Sequence, residues 1–187
     1  MNEQIEIEYK MLITQDIYHN IINDYKDYII NHYVQTNYYF THPLFFKKKY
    51  MLRIREKNNT YELTLKRPYL NHRLETNVEL TKEEADLFFN HKDIDNEIIN
   101  ILKEEGIHVS DLIQQFSLKT TRYDMKLEYG ILSADYNEYN GISDYEIEYE
   151  VFDQKLGLIH FKDIISKYHL EYKKNAKSKI QRVLESI

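Results

Sequence analysis

The sequence contains no cysteine, and only two prolines and four glycines occur among its 187 residues. Without cysteine, disulfide bonds, thiolate metal ligands and a cysteine nucleophile are all excluded. The scarcity of proline and glycine excludes a low-complexity or linker-rich chain. The length favours a single domain, residues 1–187, that is large enough to bury a core between helices and a sheet.

The chain also lacks a basic excess and any long apolar run. It has 25 basic and 31 acidic residues, whereas a nucleic-acid binder normally carries a basic excess over a whole face. No stretch approaches the roughly 18 apolar residues of a membrane-spanning helix. The first ten residues, MNEQIEIEYK, have neither the basic start nor the apolar run of a secretory signal. We therefore expect a cytoplasmic protein that binds neither nucleic acid nor membrane, and the oligomeric state stays open.

An ordered series of amphipathic segments fills the chain. After a first strand near the N-terminus, apolar residues at helical spacing predict a helix over about residues 15–32, capped by Thr14 or Asp16. Alternating segments predict seven further strands, and helical spacing predicts four further helices. The strands lie at 36–40, 49–58, 59–68, 72–80, 114–129, 130–139 and 143–152, and the helices at 81–91, 95–106, 158–170 and 175–187.

The predicted strands have one charged face and one apolar face. Residues i and i+2 of a strand point to the same side, and in LRIREK the side chains of Arg53 and Arg55 alternate with those of Leu52 and Ile54. Helices would cover the apolar faces. Two arrangements satisfy this pattern: an open sheet whose charged face meets solvent, or a barrel closed to remove unpaired edges, with the charged faces inside. A lumen with both signs of charge needs an occupant, and a polyanion held with divalent cations supplies both countercharges.

The tetrad EIEY occurs twice, at residues 6–9 and 146–149. In a strand, the first copy places Glu6 and Glu8 on one face, followed by Lys10, and the second extends a row of carboxylates to Glu150. A charged edge that faces solvent would explain each copy taken singly. Paired carboxylates at both ends of the chain also suit a divalent-metal site, because Mg²⁺ and Mn²⁺ prefer oxygen ligands.

These segments resemble the CYTH domains, the triphosphate tunnel metalloenzymes. IEIEYK fits the ExExK signature of that family, and LRIREKNNTYELTLKRP, LETNVEL, TTRYDMKLEY, DYEIEYE and AKSKIQR follow in the family's order over nearly the whole chain. The likeness is greatest to the small bacterial branch. It implies an α+β fold, a closed eight-stranded antiparallel β-barrel or tunnel with a charged lumen, covered outside by helices. It also implies binding and hydrolysis of a small-molecule triphosphate with Mg²⁺ or Mn²⁺.

The resemblance assigns roles to individual residues. The metal ligands would be Glu6, Glu8, Glu146, Glu148 and Glu150. The phosphate-binding bases would be Lys10, Arg53, Arg55, Lys66, Arg122, Lys179 and Arg182. Of these two sets, the residues expected at the reacting phosphate are Glu8, Glu148, Lys10 and Lys179. A further group could orient these ligands or simply neutralise charge: Glu62, Glu75, Asp124, Lys126, Glu128 and Asp135.

The expected activity is metal-dependent hydrolysis of a triphosphate, with inorganic triphosphate as the simplest substrate. The alternatives are a non-catalytic module that binds polyphosphate or nucleotide, an adenylyl cyclase, and a thiamine triphosphatase. One position departs from the family, because Thr41 and His42 stand where relatives often have an aspartate and a threonine. Residues 47–49, three lysines, are expected to form a solvated loop.

Overall fold

The structure, a computed structural model, describes residues 7–70 and 72–186, so Glu6 lies outside the described residues. The strands are β1 (Glu8–Ile13), β2 (Ile29–Thr41), β3 (Met51–Lys57), β4 (Thr60–Tyr69), β5 (His72–Leu80), β6 (Ile113–Leu127), β7 (Gly130–Tyr139) and β8 (Ile142–Val151). The helices are α1 (Gln15–Asp24), α2 (Pro43–Lys48), α3 (Lys82–Phe89), α4 (Glu97–Glu104), α5 (Gln154–Ser166) and α6 (Lys179–Glu185).

The eight strands form one sheet in the order β1-β8-β7-β6-β2-β3-β4-β5. The predicted α+β class with eight antiparallel strands and flanking helices is therefore confirmed. Over the described residues the ladder begins at β1 and ends at β5, so the sheet is not strictly closed. No helix among the described residues is long and apolar enough to cross a membrane.

Two local predictions were wrong. The helix predicted over 15–32 ends at Asp24, and β2 begins at Ile29. The stretch IINHYV that opens β2 is rich in β-branched and aromatic residues, which suit a pleated surface better than a helix. The second error is at Lys47 and Lys48, which end helix α2 instead of lying in a loop.

The unit formed by residues 35–117 has its core on one face of β3, β4 and β5. Leu52, Ile54, Leu63 and Leu65 are fully buried there, as the alternation with charged neighbours predicted. Helices α3 and α4 contribute their buried apolar residues to the same core. Helix α3 begins with the predicted capping box, in which Thr81 and Glu84 each accept a hydrogen bond from the other's backbone N–H.

The other unit consists of residues 7–34 and 118–186. Helices α1 and α5 pack against the apolar faces of β6, β7 and β8, where Met125 and Ile147 are fully buried. The β7–β8 turn was predicted correctly: Asn140 and Gly141 have φ of 48° and 74°, which only such residues adopt at little cost. The apolar face is thus occupied by helices, and the charged face is left for the site described next.

Candidate functional site

The two EIEY copies lie side by side on neighbouring strands. In the antiparallel pairing of β1 with β8, Glu8 is opposite Glu150 and Lys10 is opposite Glu148. Directly opposed residues of an antiparallel pair share a face of the sheet. The repeat therefore builds one continuous row of charged side chains across two strands.

Strand β7 extends this row with side chains that its own alternation places on the same face. Asp135 is opposite Glu146 of β8, and Ser133 is opposite Glu148. On the other side of β7, Asp135 is opposite Arg122 of β6. The register thus gathers carboxylates from two adjacent strands next to an arginine from a third.

Asp135, Glu146 and Glu148 form a close acidic group on this face. Each contributes an oxygen, and the three oxygens lie within 4.8 Å of one another. Asp135 and Glu146 are completely buried, and the side chain of Glu148 is 17% exposed. Such a spacing and a set of ligands made only of carboxylate oxygens fit a hard divalent cation such as Mg²⁺ or Mn²⁺.

Arg122 binds two of these carboxylates at once. Its Nε and Nη2 donate to the two oxygens of Asp135 at 2.7 and 2.6 Å, and Nη2 also donates to Glu148. Burial opposes the charged form of Arg122, but the opposite charges beside it outweigh burial. As a result, the pKa of Arg122 is raised well above its ordinary value by Asp135 and Glu148.

Lys179, the first residue of α6, places its ammonium group among all three carboxylates. Its Nζ lies 2.8 Å from Asp135, 3.0 Å from Glu146 and 2.7 Å from Glu148. Burial would lower the pKa of Lys179, but the charges of Asp135, Glu148 and Glu146 outweigh it and raise that pKa far above its ordinary value. Burial would likewise raise the pKa of Glu148, but Lys179 and Arg122 hold it far below its ordinary range.

Arg182, one turn further along α6, is fully engaged with protein acceptors. A guanidinium has five N–H donors, and here they reach Asp144 twice, Glu146 twice and the carbonyl of Lys177 once, at 2.7 to 3.3 Å. Asp144 also accepts from Asn137 and from the hydroxyl of Tyr139. These contacts fix α6 to β8, and the bonds from Asn137 and Tyr139 of β7 hold Asp144 in place.

The segment before α6 is attached to the outer edge of β1. The backbone N–H of Ala176 donates to the carbonyl of Lys10, and the side chain of Asn175 accepts from the Lys10 N–H and donates to the Glu8 carbonyl. Ser178 then caps α6. These bonds cover a strand edge that would otherwise be unpaired and bring Lys179 to the carboxylates.

The remaining predicted ligands lie at the margin of this group. Glu8 pairs with Lys10 of its own strand, and both side chains are partly buried. Glu150 is exposed, although its register opposite Glu8 places it in the same row. Their predicted roles, like that of Glu6, remain predictions.

The unit of residues 35–117 carries a second, smaller charged group. Lys66 pairs with Glu75 of the neighbouring strand, and Arg53 Nη2 lies 3.7 Å from the same carboxylate. Burial would raise the pKa of Glu75, but Lys66 and Arg53 hold it below its ordinary value. The Nε of Arg53 is buried with no hydrogen-bond partner among the described residues. Arg55 donates to Asn37 at 3.1 Å.

Sequence reasoning undervalued Asp135 and missed Asp144. Both could have been found from the period of two in their strands, since Asp135 alternates with Ser133 and Asn137, and Asp144 precedes Glu146 by two residues. At the position that departs from the family, Nδ1 of His42 accepts a hydrogen bond from the Leu44 N–H at 3.2 Å and caps α2. His42 therefore has a local structural role.

We expect the Asp144 network to make the protein sensitive to acid. Burial would raise the pKa of Asp144, but hydrogen bonds from Tyr139, Asn137 and Arg182 lower it. A carboxylate with a lowered folded-state pKa contributes stability that is complete above its unfolded pKa and is lost as pH falls through the folded-state value. Asp144→Asn should therefore lower the unfolding free energy at pH 7 by about 1–3 kcal/mol and flatten its dependence on pH below about pH 4.

Urea unfolding of the metal-free protein between pH 7 and pH 2 measures this slope. Glu138→Gln is the matched control, because that carboxylate lies on the neighbouring strand β7 and is 43% exposed. Equal slopes in the wild type and Asp144→Asn would contradict the assignment.

The carboxylates, the bases and the sheet define a site suited to a divalent cation and a polyanionic phosphate ligand. The sequence profile of the CYTH domain family matches residues 4–184. The chain is 34% identical over 195 residues to the Bacillus subtilis (strain 168) protein named "Putative triphosphatase YjbK", with 99% of this chain and 97% of that protein covered. This protein belongs to the CYTH family.

Solved structures agree with that assignment. A Bacillus halodurans protein described as a "putative adenylate cyclase (bh2851)" superposes with a TM-score of 0.84 at 33% identity, with 97% of this chain and 98% of that chain covered. The Hippeastrum protein HpAC1, described as a "putative adenylyl cyclase" with a dominant triphosphatase activity, superposes with a TM-score of 0.80 at 21% identity, with 97% and 96% covered. The predicted family fold is therefore confirmed.

Proposed function

We propose that this protein is a divalent-metal-dependent triphosphatase that hydrolyses inorganic triphosphate to pyrophosphate and phosphate. The observation that carries the proposal is the group of three carboxylates, Asp135, Glu146 and Glu148, whose oxygens lie within 4.8 Å of one another beside two partly buried cationic groups. A site with both signs of charge suits a ligand pair with both signs, namely a triphosphate and its metal.

The residues that would hold the metal are these three carboxylates, together with Glu8 of β1. Glu6 and Glu150 stay in the proposed set from the sequence pattern alone. When bound, Mg²⁺ or Mn²⁺ would neutralise phosphate charge and polarise a phosphoryl oxygen. The donor set contains neither sulfur nor nitrogen, which favours these hard cations over zinc or copper.

The basic residues would hold the triphosphate. Arg122 presents a planar guanidinium fixed by Asp135, and such a group can donate to phosphoryl oxygens with little loss of side-chain freedom. Lys10 and Lys179 add ammonium groups on the same face. In residues 35–117 we assign phosphate binding to Arg53, Arg55 and Lys66, and the buried Nε of Arg53 that lacks a protein acceptor supports this for Arg53. Arg182 has no spare donor, so we assign it a positioning role.

Hydrolysis of a phosphoanhydride depends mainly on fixed phosphates, neutralised charge and an oriented water. We assign the orienting of water to Glu8 or Glu148, because the side chains of both carboxylates are partly exposed. Lys10 and Lys179 would stabilise the charge that develops on the phosphate oxygens as the bond breaks.

Two relatives favour different reactions. The name of the Bacillus subtilis relative at 34% identity supports the triphosphatase. The description of the Bacillus halodurans structure at 33% identity favours adenylyl cyclase as the second candidate. The two activities differ in their products, since a cyclase converts ATP to cyclic AMP and pyrophosphate, whereas hydrolysis of ATP yields ADP and phosphate.

A substrate screen tests the proposal. Inorganic triphosphate, ATP and thiamine triphosphate would each be incubated with Mg²⁺, with Mn²⁺ or with EDTA, and phosphate, pyrophosphate and cyclic AMP would be quantified. We expect phosphate release to be fastest from inorganic triphosphate and to be abolished by EDTA. Cyclic AMP from ATP would favour the cyclase, and binding of every triphosphate without turnover would favour a non-catalytic binding module.

A further inference from the structure

Lys179 occupies the position at which a metal would contact the carboxylates. Its Nζ lies 2.7 to 3.0 Å from oxygens of Asp135, Glu146 and Glu148, the three residues whose oxygens converge. A divalent cation such as Mg²⁺ sits about 2.0–2.1 Å from its oxygen ligands and repels an ammonium group at such close range. The two cations cannot both contact this set of oxygens.

We propose that Lys179 is a built-in competitor of the metal, an internal counter-ion that leaves the carboxylates when triphosphate binds. This inference rests on the proposed function. In the metal-free protein the three carboxylates need positive charge, and Lys179 supplies part of it in contact with all three, beside Arg122 and Arg182. Phosphoryl oxygens offer the ammonium group a second set of acceptors, so a bound triphosphate releases the carboxylates for the metal. Triphosphate and metal then raise each other's affinity.

The two basic residues of α6 differ in the way this competition requires. Arg182 holds the helix in place, because all five of its donors are bonded to protein acceptors. Lys179 contacts the carboxylates with the ammonium group at the end of a flexible four-carbon side chain. Its ammonium group can move by rotation of side-chain bonds while α6 and the preceding β1 contacts stay in place.

Metal affinity in the absence of triphosphate tests the competition. Lys179→Gln removes the internal cation, so Mn²⁺ should bind this variant about tenfold or more tightly than it binds the wild type. Lys177→Gln is the matched control, because Lys177 is exposed and pairs with Glu185, and its Mn²⁺ affinity should equal that of the wild type. Isothermal titration with Mn²⁺ alone gives the dissociation constants, and circular dichroism verifies that each variant is folded.

The result also separates this inference from the proposed function. If the wild type and Lys179→Gln bind Mn²⁺ with equal affinity, the competition is overturned and the metal site stands. If neither protein binds Mn²⁺, the proposed metal site fails, and this inference fails with it. Tighter binding by Lys179→Gln alone supports the inference.

A second measurement uses the wild type and does not depend on the variant's folding. Acylation of lysine amines, read out by mass spectrometry, should modify Lys179 slowly in the metal-free protein because its side chain is only 14% exposed and its ammonium group is ion-paired. Saturating Mn²⁺ should raise its labelling rate severalfold, and further addition of a non-hydrolysable imido analogue of triphosphate should lower it again. Lys177 should be labelled at the same rate in all three conditions. Unchanged labelling of Lys179 with Mn²⁺ bound would overturn the competition.

Discussion

Glu148→Gln should lower kcat/KM for triphosphate hydrolysis by about 10³-fold or more, because it would remove a charged ligand of the proposed metal and leave the side chain's shape intact. Glu148 contacts both Arg122 and Lys179, so the substitution also releases two bases from their shared carboxylate. The metal concentration needed for half-maximal activity should rise as well. Initial rates of phosphate release measured over a range of Mn²⁺ concentrations give both quantities.

The control for Glu148→Gln is Glu138→Gln, which changes a carboxylate that is 43% exposed on the neighbouring strand β7. It should keep wild-type kinetics and change stability by at most about 0.5 kcal/mol. If Glu8 and Glu148 serve one metal, the double variant with Glu8→Gln should be little worse than the worse single variant. Wild-type activity in Glu148→Gln would contradict the metal site. If the activity losses of the two single variants add fully in the double variant, Glu8 and Glu148 do not serve the same metal.

Arg53→Ala should lower kcat/KM by about 10²-fold or more, because it would remove the proposed charge-assisted phosphate contact, which strengthens as phosphate charge develops. The buried Nε of Arg53 has no hydrogen-bond acceptor among the described residues, which leaves one donor for a ligand. Arg53 and Lys66 both pair with Glu75, so loss of the arginine weakens the pairing of that carboxylate, and some loss of stability should accompany the kinetic effect. Kinetics of triphosphate hydrolysis and thermal unfolding separate the two effects.

Arg73→Ala is the matched control for Arg53→Ala, because Arg73 is an exposed arginine of β5 in the same unit. It should leave kcat/KM within about twofold of the wild type, as expected for a surface substitution. Near-normal kinetics in Arg53→Ala would remove the β3 bases from the phosphate-binding set.

Much of the fold was predictable because its strands alternate strictly. Leu52, Ile54, Leu63 and Leu65 are buried where the period of two placed them, and the polar and charged residues that alternate with them share the opposite face. The start of β2 was not predictable from spacing, since Ile29 continues the helical stripe of α1 as readily as it begins a strand. Pairing with a neighbouring strand decides such a case, and that pairing is not visible in local sequence.

The candidate site was predictable only in part. The EIEY repeat identified the carboxylates of β8, but the close grouping with Asp135 depends on the register of β7 with β8. The sequence also indicated that Lys179 and Arg182 are basic residues of one helix. It did not indicate that Lys179 contacts three carboxylates, or that every N–H donor of Arg182 is bonded to a protein acceptor. Those differences depend on where α6 packs, which long-range contacts determine.

A crystal structure with Mn²⁺ and a non-hydrolysable imido analogue of triphosphate tests the central claim, that the carboxylates of β7 and β8 hold a catalytic metal. The anomalous scattering of Mn²⁺ locates the ion independently of any assumption about the ligand. The account predicts a peak about 2.0–2.4 Å from oxygens of at least two of Asp135, Glu146 and Glu148, with the analogue in contact with the same ion. An Mn²⁺ peak on other residues, with Lys179 still bound to all three carboxylates, would contradict it.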